Sequence, residues 1–81
     1  MKVKLQLFAV ARQWAEADCL ELDLPNSAIV ADVRLALLLR LPKLSQFGPH
    51  LRFAVNAEYA DDATPISSEM EIACIPPPSG G

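Results

Sequence analysis

The sequence predicts an α+β domain in which one main helix packs across a mixed sheet. Three observations lead there. Several short stretches alternate apolar and polar residues with the period of a half-buried strand. One stretch, Val30 to Leu41, instead repeats its apolar residues at helical spacing. Proline, glycine and asparagine punctuate the joins between these stretches.

The chain opens with MKVKLQLF, in which Val3, Leu5 and Leu7 alternate with Lys2, Lys4 and Gln6. This predicts a first strand over residues 1–8 with its aliphatic side chains facing the core. Residues 9–17, AVARQWAEA, are rich in helix formers and carry one large anchor, Trp14, which predicts a short helix. Residues 18–24 alternate again: Leu20, Leu22 and Leu24 form the core side of a second strand that Pro25-Asn26-Ser27 breaks. In the main helix, Val30, Val33, Leu37 and Leu41 recur on one side. Leu35 and Leu39 fall on the other, either under the following loop or exposed. Pro42 ends the helix, and residues 42–50 read as a loop marked by Gly48-Pro49. Leu51, Phe53 and Val55 give a third strand. Asn56-Ala57-Glu58 is a tight turn because asparagine tolerates the left-handed backbone, and Tyr59-Ala60 adds a short strand. After a loop at 61–65, residues 70–75 form the last strand, with Met70, Ile72 and Cys74 on the core face and Glu71, Ala73 and Ile75 on the other.

First and last strands as parallel neighbours around a crossing helix suggest a β-grasp roll, although the element order also admits other small α+β topologies. The expected division is a folded domain at 1–75 and an extended tail at 76–81.

With 81 residues the chain is one small domain, and so short a chain gains from a partner that covers more of its surface. Its formal net charge is -3, and its seven basic residues are scattered, so no stripe tracks a nucleic-acid backbone. The longest apolar run, Leu35 to Leu39, is far too short to span a bilayer. Lys2 and Lys4 interrupt any apolar leader. Cys19 and Cys74 have neither metal-ligand spacing nor a CxxC pattern, and are expected as two buried free thiols in a reducing cytoplasm. His50, the one histidine, has no nucleophile marked for it, and the adjacent Asp61 and Asp62 do not by themselves make a metal site. No phosphate loop is present, so no bound cofactor is expected.

The tail carries the chemical promise. Pro76-Pro77-Pro78 favours an extended polyproline-like backbone that projects the last residues away from the domain, and Ser79-Gly80-Gly81 ends in two residues without side chains, able to lie in a passage too narrow for others. A free carboxylate on Gly81 is a poor acyl donor until adenylation makes it a mixed anhydride. Sulfide attack would then give a thiocarboxylate, a soft nucleophile that a thin tail delivers into another protein's active site.

The closing segment, Glu71-Ile72-Ala73-Cys74-Ile75-Pro76-Pro77-Pro78-Ser79-Gly80-Gly81, resembles that of the molybdopterin synthase small subunits of the MoaD type. Phe8-Ala9 followed by Arg12, and Val55-Asn56, are similar to that family's first strand-to-helix junction and its third-strand turn. Two features depart from it: Ser67-Ser68-Glu69-Met70 stands where the family often has an Asp-Gly turn, and Cys74-Ile75 replaces its usual aromatic pair.

The resemblance implies a ubiquitin-like β-grasp fold. It implies a chain that is not an enzyme on its own, whose Gly81 is adenylated by an E1-like enzyme that uses ATP, and is then thiocarboxylated. The thiocarboxylate would donate sulfur to cyclic pyranopterin monophosphate in the large synthase subunit, usually within a heterotetramer. Phe8, Ile75, Pro76, Pro77, Pro78, Ser79 and Gly80 would meet the partners. Phe8 and Ile75 are expected on the sheet face opposite the helix, as an apolar patch. The rival readings are a carrier for thiamin or tRNA thiolation, a ubiquitin-like modifier, and a plain interaction module.

Overall fold

The computed structural model of the chain describes residues 1–78. Five strands form one sheet in the order β2-β1-β5-β3-β4. They are β1 (Lys2–Leu7), β2 (Cys19–Asp23), β3 (Arg52–Val55), β4 (Glu58–Ala60) and β5 (Ile72–Ile75). Helix α1 (Ala9–Ala15) follows β1, and the main helix α2 (Val30–Arg40) follows β2. The expected elements are all present. The segment read as a loop at 42–50 instead winds into two short 3₁₀ helices, Pro42–Gln46 and Gly48–His50, each with a proline placed where its missing amide costs nothing.

The first and last strands are parallel, with Leu5, Gln6 and Leu7 opposite Ile72, Ala73 and Cys74. All other ladders are antiparallel, so the sheet is mixed. Alternation does what the period promises: Val3, Leu5, Leu7, Leu22, Phe53, Ile72 and Cys74 are buried on the inner face, where Val30, Val33 and Leu37 of α2 meet them. Each such aliphatic side chain stabilises the fold by about 1.5–3 kcal/mol on burial. Leu35 and Leu39 are 63% and 78% exposed, so nothing in the fold covers them.

Helix α2 begins without a side-chain cap at Ile29. Its first amides are orphan donors that need acceptors, and the loop after β4 supplies them. Val30 N donates to Thr64 O at 3.0 Å and Ala31 N to Asp62 O at 3.0 Å. Asp32 Oδ2 accepts from the Ile29 amide at 2.9 Å. One residue then ties this loop to the 3₁₀ segment. Arg34 donates to Gly48 O at 3.2 Å and Leu51 O at 2.7 Å, and pairs with Asp62 at 2.9 Å. Its guanidinium also lies 5.0 Å from the centre of the Phe53 ring.

Asn56 and Ala57, both at positive φ (50° and 70°), form the two-residue turn between β3 and β4. Positive φ at both central positions is the type I′ signature that suits the right-handed twist of a hairpin. Asn56 also accepts from the Glu71 amide at 3.0 Å, fixing the approach to β5. Ala57 occupies a left-handed position where Cβ crowds the backbone. Substitution Ala57→Gly is therefore expected to stabilise the domain by about 1 kcal/mol. For a chain of this size that is a rise of roughly 4–8 °C in the thermal unfolding midpoint, read by circular dichroism.

Candidate functional site: the outer sheet face and the tail root

Parallel pairing at the sheet centre decides where the tail leaves the domain. Leu7 stands opposite Cys74, so the next residues, Phe8 and Ile75, are neighbours at the same end of the two strands. The alternation carries both onto the face away from α2. Phe8 is 45% exposed and Ile75 half-buried, and the two line one hollow of about 350 Å³. The apolar patch expected on that face is present. Its other walls were not anticipated: Ala54 and Ala73 form a small-residue floor, and Tyr59, 57% exposed, stands at the rim. The signal was in the register, since Ala54 pairs with both Ala73 and Tyr59, but a register cannot be read from the sequence of one strand.

After Phe8 the chain turns into α1 with Ala9 at φ 51°, a left-handed backbone for a residue with a side chain. This sharp entry sets Phe8 on the open face while Ala11 drops into the core.

The prolines do not all project. Alternation continues one residue past β5, so Pro76 is buried in line with Ile72 and Cys74, whereas Pro77 is half-buried and Pro78 exposed. The expectation that the three prolines project the chain away from the domain is corrected at the first of them: Pro76 roots the tail in the domain. Pro76 to Pro78 line a second hollow of about 480 Å³ together with Ala9, His50, Arg52, Tyr59 and Ile75. Ser79, Gly80 and Gly81, the remaining site residues read from the sequence, lie outside the described residues.

The other candidates find structural places. Asp61 builds its own loop, accepting from Ala63 N at 3.0 Å and the Thr64 hydroxyl at 3.2 Å, while Asp62 pairs with Arg34. Among the described residues no group of His, Cys, Asp and Glu could hold a metal ion, and no helix is long and apolar enough to cross a membrane. His50 is exposed at the end of a 3₁₀ helix.

The two cysteines are free thiols, but only Cys74 is buried. The expectation of burial fails for Cys19, because the leucines of β2 claim the inner face and leave residues 19, 21 and 23 outside. Burial pushes the Cys74 thiol up to about 12, against a smaller opposing pull from the Arg34 charge. A thiol so placed stays protonated and inert at neutral pH.

The ThiS family model matches residues 5–81. The molybdopterin synthase sulfur carrier subunit of Arabidopsis thaliana is 32% identical over 81 residues, which is 100% of this chain and 84% of that protein. The crystal structure of SAMP1 from Haloferax volcanii, a small archaeal modifier protein, is similar with a TM-score of 0.84 at 28% identity, covering 100% of both chains. A chain from the complex of subunits 1 and 2 of the molybdopterin-converting factor of Helicobacter pylori is similar with a TM-score of 0.65, covering 100% of both chains. At 22% identity it shows a shared fold.

Native protein treated with a maleimide at pH 7 is expected to take up one label, at Cys19, and a second only on unfolding. Above pH 9 the unfolded Cys74 thiol ionises and the folded one does not. Its contribution to stability is therefore complete below that pH and is lost as pH rises towards about 12. Peptide mapping of the labelled chain distinguishes the two sites, and rapid native labelling of Cys74 would contradict its burial.

Proposed function

We propose, from the premise that this chain belongs to the ThiS family and is a ubiquitin-like sulfur carrier of the MoaD type, that it serves as the small subunit of a molybdopterin synthase. The observation that carries this reading is the family match running through residue 81, so that it includes Gly80 and Gly81. The name of the Arabidopsis relative supports the pathway. The Helicobacter complex, which joins subunits 1 and 2, supports docking to a second subunit.

In this reading the Gly81 carboxylate attacks the α-phosphorus of ATP held by an E1-like partner, and pyrophosphate leaves. A sulfide sulfur attacks the acyl carbon of the resulting adenylate and expels AMP, leaving a thiocarboxylate. That sulfur then passes to cyclic pyranopterin monophosphate in the large subunit, and water restores the carboxylate. The domain contributes placement. Pro76 fixes the root, and the five residues beyond it reach at most about 18 Å when extended. Phe8, Ile75, Pro77 and Pro78 offer the docking surface, and Ser79 and Gly80 fit the narrow passage. No cofactor is held by the carrier itself, since ATP belongs to the activating partner. Two carriers and two large subunits make the heterotetramer. The free thiols of Cys19 and Cys74 are consistent with the cytoplasm.

A second reading, a protein modifier joined to lysines through the same Gly81, is favoured by the name of the Haloferax relative. The Pro-Pro-Pro-Ser spacer argues against a thiamin-pathway carrier.

The test is intact mass spectrometry after incubation with an E1-like activating enzyme, ATP and a sulfur donor. The expected result is a gain equal to one oxygen-to-sulfur exchange, absent when Gly81 is deleted. No gain with an enzyme proven active on another carrier would sink the reading. Higher-mass conjugates in cells that disappear with the same deletion would favour the modifier.

A further inference from the structure

Among the described residues three cations have carboxylate partners: Lys2 with Asp23, Arg12 with Asp18 and Arg34 with Asp62. Lys4, Arg40, Lys43 and Arg52 have none among the described residues, and of these four Arg52 lines the hollow at the tail root. Arg52 stands opposite Ile75, the last ladder position before the tail. Its guanidinium lies 3.8 Å from the centre of the Tyr59 ring, the diagonal neighbour on β4. The ring face restricts the guanidinium, whose N–H groups have no acceptor among the described residues and are free to donate. Both side chains line the hollow through which Pro76, Pro77 and Pro78 leave the domain, and Tyr59 also lines the apolar hollow beside it.

We propose that Arg52, stacked on Tyr59, is a specificity-determining contact for a carboxylate on the adenylating partner, set beside the entrance that receives the tail. The proposal rests on the sulfur-carrier reading and adds to it the chemistry of the partner's rim. Three arguments carry it. The planar fork matches a carboxylate in bidentate fashion, and a cation that already rests against a ring loses less entropy on pairing than a free one. Tyrosine and arginine are residue types enriched among those that dominate interface energetics. The chain as a whole is acidic, with a net charge of -3, so an acidic partner surface is repelled in general and is admitted only where a cation meets it. Opposed charge of this kind fixes register and rejects wrong partners. The contact lies at the tail root, opposite Ile75 and several residues of chain before Gly81, so it acts on capture of the carrier and leaves the chemical step alone.

The experiment measures initial rates of thiocarboxylate formation against carrier concentration for the wild type, Arg52→Lys, Arg52→Gln, Arg52→Glu and Tyr59→Ala, at low salt and at high salt. Arg52→Gln and Arg52→Glu are expected to raise the KM for the carrier by about tenfold or more, one decade of affinity, with kcat unchanged. Arg52→Lys retains the charge and recovers part of the loss. Tyr59→Ala, which removes the platform and keeps the cation, has a smaller effect. Added salt narrows the gap between the wild type and Arg52→Glu, because rim charges are screened. Thermal unfolding of each variant separates a contact from a folding defect, and Arg52→Gln carries the test if Arg52→Glu misfolds. A wild-type KM in a folded Arg52→Gln, or a fall in kcat at constant KM, overturns the proposal. Failure of the wild type itself to gain sulfur overturns instead the carrier reading on which it rests.

Discussion

The parallel pairing of β1 with β5 is the constraint on which the rest of the molecule depends. It joins the first and last strands at the centre of the sheet, so every other strand must lie outside them and the connection between them must cross a face. Helix α2 makes that crossing and buries the inner aliphatic side chains. The same register sets Phe8 against Ile75 and gives the tail its origin mid-sheet. A slip of one residue would exchange the faces, sending Cys74 out and Ile75 in, and would turn the root of the tail away from the patch.

Parallel neighbours distant in sequence carry a high loop-closure cost, and the chain offsets it with a few multivalent contacts. Arg34 is the chief one, because its single side chain reaches the 3₁₀ segment, Asp62 and the Phe53 ring. Loop carbonyls at Asp62 and Thr64 replace the cap that α2 lacks. The helix and the long connection before β5 therefore stabilise each other, so neither is a free-standing element. In a domain this small, such reciprocal fastening substitutes for a larger core.

Much of this was legible in the sequence because alternation and helical spacing survive in every element that faces the core. Val3, Leu5 and Leu7, or Val30, Val33 and Leu37, declare their faces without help. The left-handed turn was legible in Asn56. Less legible were features set by pairs of distant segments. The residue pattern of β2 held the answer for Cys19, whose exposure is forced once its leucines take the inner face. The burial of Pro76 continues the period of β5, but prolines read as a projecting spacer conceal it. The small floor of Ala54 and Ala73, and the stacking of Arg52 on Tyr59, depend on cross-strand register, which no local pattern encodes. The tail was legible as a motif, and the family match extends over it.

The edges of the sheet bear on why the outer face is the surface proposed for docking. An exposed edge strand is the usual liability of a small sheet, since its free amides and carbonyls invite pairing. Here one edge, β4, is only three residues long. The other, β2, has Glu21 and Asp23 exposed, and Arg40 donates from α2 to the Glu21 carbonyl at 3.1 Å. With both edges blunted, the apolar area that the sheet leaves open lies on its outer face, where Phe8, Ile75 and Tyr59 stand around the tail root, apart from the exposed Leu35 and Leu39 of α2. A partner that binds there gains apolar burial and catches the tail in the same event. Binding to an edge would gain backbone hydrogen bonds without catching the tail.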